Sequence, residues 1–385
     1  MMGFDRIGLF TDSHKADVDS TDRRMRYRLS GPRFYSEADD DIEEACTEFN
    51  NDCDVVVEIG DFNDLHSDNS VHEDPPNTNT HNTGAEGEAI LAAVETSFAT
   101  FTGPRYHVIG NWDMYDFDFQ NPADWFKHIR NGTRNPETIT EIAATTYNDM
   151  DGNSKAARYY AFECPNGTIG IVLDTTGKSA DDPEHYANED TAKSVSTSYA
   201  YIPATQRTWL ENTLAAHTGV PIVVFCHYWL YPDVGGYFQC INASAVRAIL
   251  EAYNTARIAA GHKGRVLAVF SGHHHPGTKG WWRDVDGQDP VNFIEGTTDP
   301  EGHIFGVEHN GIKYFNLRGQ IVGWGADSGG ATDDGSGGEA TPANSFYKAI
   351  VGEFVKDVYD IKVIGYGANP IGESKSSQQY FLGTT

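Results

Sequence analysis

The feature that most constrains this chain is a recurring construction, in which a short apolar run stops at a residue able to bind a metal. In its clearest instance Val55-Val56-Val57-Glu58-Ile59 ends at Gly60-Asp61. A β-branched run of that length reads as a buried strand, and the Gly-Asp pair marks where the backbone turns. The Asp61 carboxylate is thereby held at the C-terminal edge of a strand. Ligands of open α/β sheets bind at that edge, because the loops leaving parallel strands converge there. A lone Gly-Asp is ordinarily just a turn, since both residues are common turn formers. Recurrence is what makes Asp61 a candidate metal ligand or base.

The spacing predicts a first strand over Arg6 to Thr11, ending in Asp12-Ser13-His14, and a helix over Ser36 to Asn50 with Ile42, Ala45, Cys46 and Phe49 on one face. Between them Arg23, Arg24, Arg26, Arg28 and Arg33 form a basic island in an acidic chain. It reads either as solvated surface or as a clamp for an anionic substrate, whose phosphate oxygens match guanidinium forks. Residues 65–86 read as a long polar loop and Gly87 to Phe101 as a second helix. The next strand, Tyr106 to Ile109, ends in Gly110-Asn111-Trp112-Asp113. A hairpin follows, Tyr159 to Phe162 and Thr168 to Leu173 around Pro165-Asn166-Gly167. Helices are expected over Pro203 to His217 and Asn242 to Ala260. Between and after them, strands over Pro221 to Cys226 and Arg265 to Phe270 end at His227 and at Gly272-His273-His274-His275. Lys313 to Leu317, Phe346 to Phe354 and Tyr359 to Ile364 read as strands of a second sheet. One domain over 1–365 with a tail over 366–385 is the simplest division.

Composition narrows the function classes. The chain has 385 residues with 56 acidic against 28 basic side chains, a net charge of -28. Such a surface repels polyanions, which argues against general nucleic-acid binding, and it suits work at high salt, where self-repulsion is screened. The longest apolar run, about Val220 to Cys226, is far short of the roughly 18 residues of a membrane span. No basic segment followed by an apolar stretch opens the chain, and the five cysteines form no C-x-x-C pair, so a cytoplasmic protein with reduced thiols is the expectation.

At the strand ends stand Asp12, His14, Asp61, Asn111, His227, His273 and His275. If their strands are neighbours in one sheet, the side chains converge on one edge. Carboxylate, imidazole and amide oxygen suit Mn, Fe or Zn, and seven ligands suit two ions sharing a bridge better than one ion.

Asp12-x-His14, Gly60-Asp61-x-x-Asp64, Gly110-Asn111-x-Asp113, His227 and Gly272-His273-x-His275, in this order, resemble the five motifs of the calcineurin-like metallophosphoesterases. The resemblance spans about residues 6 to 276. It implies an α/β fold, a four-layer α/β/β/α sandwich of two mixed sheets flanked by helices. It also implies one metal held by Asp12, His14, Asp61 and His275 and a second held by Asn111, His227, His273 and the bridging Asp61. The implied reaction is in-line attack on phosphorus by a hydroxide bridging the two ions.

The chain departs from that family at Trp112, where a histidine usually contacts the substrate phosphate and protonates the leaving oxygen, oriented by the acid that follows, here Asp113. Indole donates a hydrogen bond but is no general acid. Three readings stay open: another histidine, His274, His66 or His72, stands in; the substrates have good leaving groups; or the protein mainly binds. The reading taken is a phosphatase of small phosphomonoesters with activated leaving groups, in which Arg28, Arg33 and Asn111 bind substrate and Asp61, Asn111, Trp112, Asp113 and His274 line the reaction. The alternatives are a phosphodiesterase on small nucleotide or phospholipid-headgroup diesters, and a weakly active metal-binding interaction protein.

Overall fold

The structure is a computed structural model, which describes residues 3–15, 38–62, 92–110, 113, 141–142, 146–148, 154–156, 159–175, 200–231, 240–273, 304–317, 319–320, 346–366 and 378–380. Its strands in chain order are β1 (Asp5–Phe10), β2 (Val55–Glu58), β3 (Arg105–His107), β4 (Glu141–Ile142), β5 (Thr146–Asn148), β6 (Ser154–Ala156), β7 (Tyr160–Glu163) and β8 (Ile169–Val172). They continue as β9 (Ile222–Phe225), β10 (Val266–Ser271), β11 (Ile304–His309), β12 (Ile312–Leu317), β13 (Phe346–Val355), β14 (Val358–Tyr366) and β15 (Gln378–Tyr380). The helices are α1 (Ala38–Phe49), α2 (Ala204–Ala216) and α3 (Ala243–Ala259), with further helical residues at 92–98.

Two mixed sheets form. The first runs β15-β14-β13-β1-β2-β3, and the second β11-β12-β10-β9-β8-β7-β4. Strands β1, β2 and β3 are parallel, with Leu9 opposite Val57 and Val57 opposite Tyr106. In the second sheet β8, β9, β10 and β12 are parallel. These central strands are buried on both faces, which is why their sequences are continuous apolar runs instead of alternating ones. Side chains alternate across them all the same. In β2, Val55 and Val57 enter the core between the sheets, while Val56 faces the helical layer. In β9, Val223 and Phe225 point inward, while Ile222 and Val224 meet α2 and α3. The core thus has three parts: one between the sheets, one under α1 and residues 92–98, and one under α2 and α3. These are the three interfaces of an α/β/β/α sandwich, the expected architecture.

Two expectations need correction. The strands bearing the candidate ligands are not neighbours in one sheet: β1, β2 and β3 lie in the first, β9 and β10 in the second. Nor do the three late strands share a sheet. β12 extends the second sheet beside β10, whereas β13 and β14 extend the first, with Tyr347 opposite Leu9 of β1. Periodicity identifies a buried strand but carries no information on which sheet has an open edge for it. Residues 378–380, read as part of a tail, pair with β14 as an edge strand.

Candidate metal centre

The loops leaving β1 and β2 run side by side after the strands end. The Asp12 amide donates to the Gly60 carbonyl at 2.9 Å and the His14 amide to the Asp61 carbonyl at 2.9 Å. Asp12, His14 and Asp61 all have positive φ, of 53°, 46° and 57°. Non-glycine residues adopt this left-handed region rarely and at a cost, and such strain gathers at functional sites where the surroundings enforce it. Here the enforcement includes Asp113, whose buried carboxylate accepts the amides of Asp61 at 3.0 Å, Phe62 at 2.9 Å and Gly110 at 2.8 Å. One side chain thus fixes the loop that presents Asp61.

From the opposite sheet come His227, after β9, and His273, after β10. His227 Nδ1 lies 2.8 Å from the Ile59 carbonyl, so it carries the proton and donates. That leaves Nε2 facing Asp61 Oδ2 at 3.1 Å. Second bonds of this kind set the tautomer of metal-binding imidazoles. The His273 amide is received by both Asp12 carboxylate oxygens, at 3.1 and 3.0 Å, and its φ is 74°. Gly272 lets the sheets approach here: a Cβ at this position would collide with Thr11 Oγ1 and Asp12 Oδ2. Gly60, with φ of 94°, faces His227 Nδ1 just as closely.

Two donor groups result, Asp12 with His14 and Asp61, and Asp61 with His227 and His273, each with ligand atoms within 4.8 Å of one another. Asp61 belongs to both. Its Oδ2 stands 3.5 Å from His14 Nε2 and 3.1 Å from His227 Nε2. Carboxylate oxygen and imidazole nitrogen suit borderline cations such as Mn, Fe or Zn. The electrostatics fit a cation as well. Burial, and then the Asp61 charge, push Asp113 up to about 7. Burial alone would lower His227, but the Asp61 carboxylate beside it outweighs this and raises it to about 9. A buried pocket that concentrates acidic groups and draws protons in this way is one that bound cations neutralise.

Of the residues expected at the site, the structure thus brings together Asp12, His14, Asp61, His227 and His273, with Asp113 behind them. Asn111, Trp112, His274, His275, Arg28, Arg33, Asp64, His66 and His72 lie outside the described residues. Several supporting residues stand in no motif. The Gln320 amide donates to the Thr11 carbonyl at 3.0 Å, and Ser13 Oγ lies 2.5 Å from Gln320 Oε1, tying the first ligand loop to a segment some three hundred positions away. Thr175, just past β8, accepts the Tyr228 amide at 3.1 Å, and the Tyr228 ring lies 4.0 Å from that of His273. The only local signal for Thr175 was its place after a buried strand.

No protein-family model matches the chain, and no curated protein does. Among solved structures, a dimetal phosphatase from Danio rerio aligns over 98% of this chain and 99% of its own, with a TM-score of 0.53 at 15% identity. A purple acid phosphatase, PPD1, from yellow lupin seeds aligns over 98% of this chain and 53% of its own, with a TM-score of 0.43 at 11% identity. A hypothetical protein from Thermus thermophilus aligns over 94% and 100%, with a TM-score of 0.32 at 9% identity. The chain therefore has the fold of the Danio rerio phosphatase, the two-sheet sandwich that the motifs imply. Among the described residues, no helix is long and apolar enough to cross a membrane.

Proposed function

We propose that this chain is a calcineurin-like metallophosphoesterase that uses two metal ions, a phosphatase of small phosphomonoesters with activated leaving groups. The observation that carries this reading is the position of Asp61, one buried carboxylate common to two donor groups. The first ion is assigned to Asp12, His14, Asp61 and His275, the second to Asp61, Asn111, His227 and His273. Bound there, two cations supply Lewis acidity toward phosphoryl oxygens and a lowered pKa for water.

The protein's own contribution is positioning. Asp113 holds the loop of Asp61, the Ile59 carbonyl fixes the His227 tautomer, and Asp12 holds the His273 amide. Arg28 and Arg33 are assigned to the anionic substrate, since guanidinium forks match phosphate oxygens. Trp112 limits the chemistry. Without a general acid beside the leaving oxygen, a loss of about 10²- to 10⁴-fold falls on alkoxide leaving groups, and phenolate-like ones are spared.

The test is turnover of p-nitrophenyl phosphate, bis-p-nitrophenyl phosphate and an alkyl phosphate by chelator-stripped protein given Mn, Fe or Zn. Metal-dependent hydrolysis of the aryl monoester, lost in Asp61→Ala, is the expected result. Faster hydrolysis of the diester would move the assignment to a phosphodiesterase. Bound metal without any turnover would move it to a binding role.

A further inference from the structure

Beneath the centre, on the face of the first sheet that meets α1 and residues 92–98, lies a buried pair with no part in the chemistry above. Glu58 and His107 are register partners on β2 and β3, both essentially without solvent exposure, and Glu58 Oε2 lies 3.1 Å from His107 Nδ1. Their surroundings are aromatic. The rings of Phe62 and Phe98 meet the imidazole edge-on, at 5.0 and 4.9 Å between centroids. The far nitrogen, His107 Nε2, faces Glu95 Oε1 at 3.7 Å. An apolar layer of this kind packs well with hydrophobic residues, and replacing a buried polar pair by such residues is often neutral or stabilising, so stability alone does not explain the pair.

Its location suggests a use. Glu58 precedes Asp61 by three residues, and His107 precedes Gly110 by three, so the pair crosses from β2 to β3 just before both loops begin. Asp113 then joins the same two loops above it by accepting the Asp61 and Gly110 amides. A hydrogen bond whose partners lie on two strands penalises any slip between them. Burial pushes the Glu58 carboxyl well above its ordinary range, and the charges of Asp113, Asp12 and Asp61 add to the effect. One proton is shared between Glu58 Oε2 and His107 Nδ1, and His107 Nε2 faces Glu95.

We propose that Glu58 and His107 are a positioning pair that sets the loops after β2 and β3 in register, and through them the presentation of Asp61 to metal. This inference rests on the dimetal reading. It is tested with Mn²⁺ alone, by titration calorimetry and metal analysis, in three variants with wild type as the control. Glu58→Met and His107→Phe fill the space without the hydrogen bond, and Glu58→Gln restores it. The two apolar variants should melt cooperatively and bind Mn²⁺ about 10-fold more weakly, at the lower end for loss of an outer partner. Glu58→Gln should stay within about threefold of wild type, as expected when the outer partner is kept.

A folded Glu58→Met or His107→Phe variant that binds both ions as tightly as wild type would overturn the proposal, and if one fails to fold the other decides. Failure of both to fold would also overturn it, since the pair would then serve folding and not positioning. Wild type that binds no Mn²⁺ would instead sink the dimetal reading itself.

Discussion

On the side of β1 and β2, the candidate ligands are held by backbone and by one another's loops. Asp12 and His14 donate their amides to Gly60 and Asp61, and Asp113 takes up the amides of Asp61 and Phe62. On the side of β9 and β10, His227 depends on the Ile59 carbonyl and His273 on the Asp12 carboxylate, and both of these belong to the first sheet. The ligand loops of the first half are held mainly by one another, with Gln320 after β12 the support from outside, whereas both histidines of the second half bond directly to groups of the first. Damage should therefore travel mainly from the first half to the second. Of the two histidines of the second half His273 is the less buried, and the Tyr228 ring lies beside it.

The largest test of this asymmetry is a pair of substitutions. His273→Ala should lower bound Mn²⁺ by one ion and leave the group of Asp12, His14 and Asp61 loaded. Asp12→Ala should weaken both, directly at its own group and by about 10- to 100-fold at the other through the freed His273 amide. Metal analysis after dialysis distinguishes the two patterns, and equal losses in both variants would abolish the distinction.

Asp113→Ala strikes the support of the first half. It leaves three buried amides without this acceptor. Since one unsatisfied donor costs about 1–3 kcal/mol, the loss should reach on the order of 3 kcal/mol or more in urea unfolding. Gly272→Ala strikes the joint between the halves. Its new methyl meets Thr11 and Asp12, so a loss of about 1–3 kcal/mol is expected, with weaker metal binding on the His273 side.

The smallest effect is chemical. Burial pushes the thiols of Cys46, in the layer under α1, and of Cys226, just before His227, up to about 12 each. Both should resist iodoacetamide in the native protein at about pH 8, where the thiolate fraction is negligible. Metal removal should speed labelling of Cys226 more than of Cys46, as mass spectrometry of the modified peptides would show, because the second half loosens first.

What the sequence reveals follows a physical division. A short apolar run that stops at an Asp or His is a local signal, so β1, β2, β9 and β10 and the residues after them are legible directly. The same holds for α2 and α3, whose observed ends, Ala204–Ala216 and Ala243–Ala259, fall within one residue of the expected ones. Supports that join distant segments leave no local trace. Asp113 with Phe62, Glu58 with His107 and Ser13 with Gln320 are pairs 51, 49 and 307 positions apart. Asp113 could be read as part of a motif, but its three amide partners could not. Sheet membership was equally hidden, because β12 and β13 are both apolar runs and only the open edges of β10 and β1 separate them.

The central claim is that one carboxylate, Asp61, serves two cations. Anomalous diffraction at the manganese edge from crystals soaked in Mn²⁺ tests it most directly. Two peaks about 3.5–4 Å apart, the spacing of two-metal hydrolytic sites, are expected, with Asp61 between them. A single peak, or two peaks of which one lies away from Asp61, would contradict it.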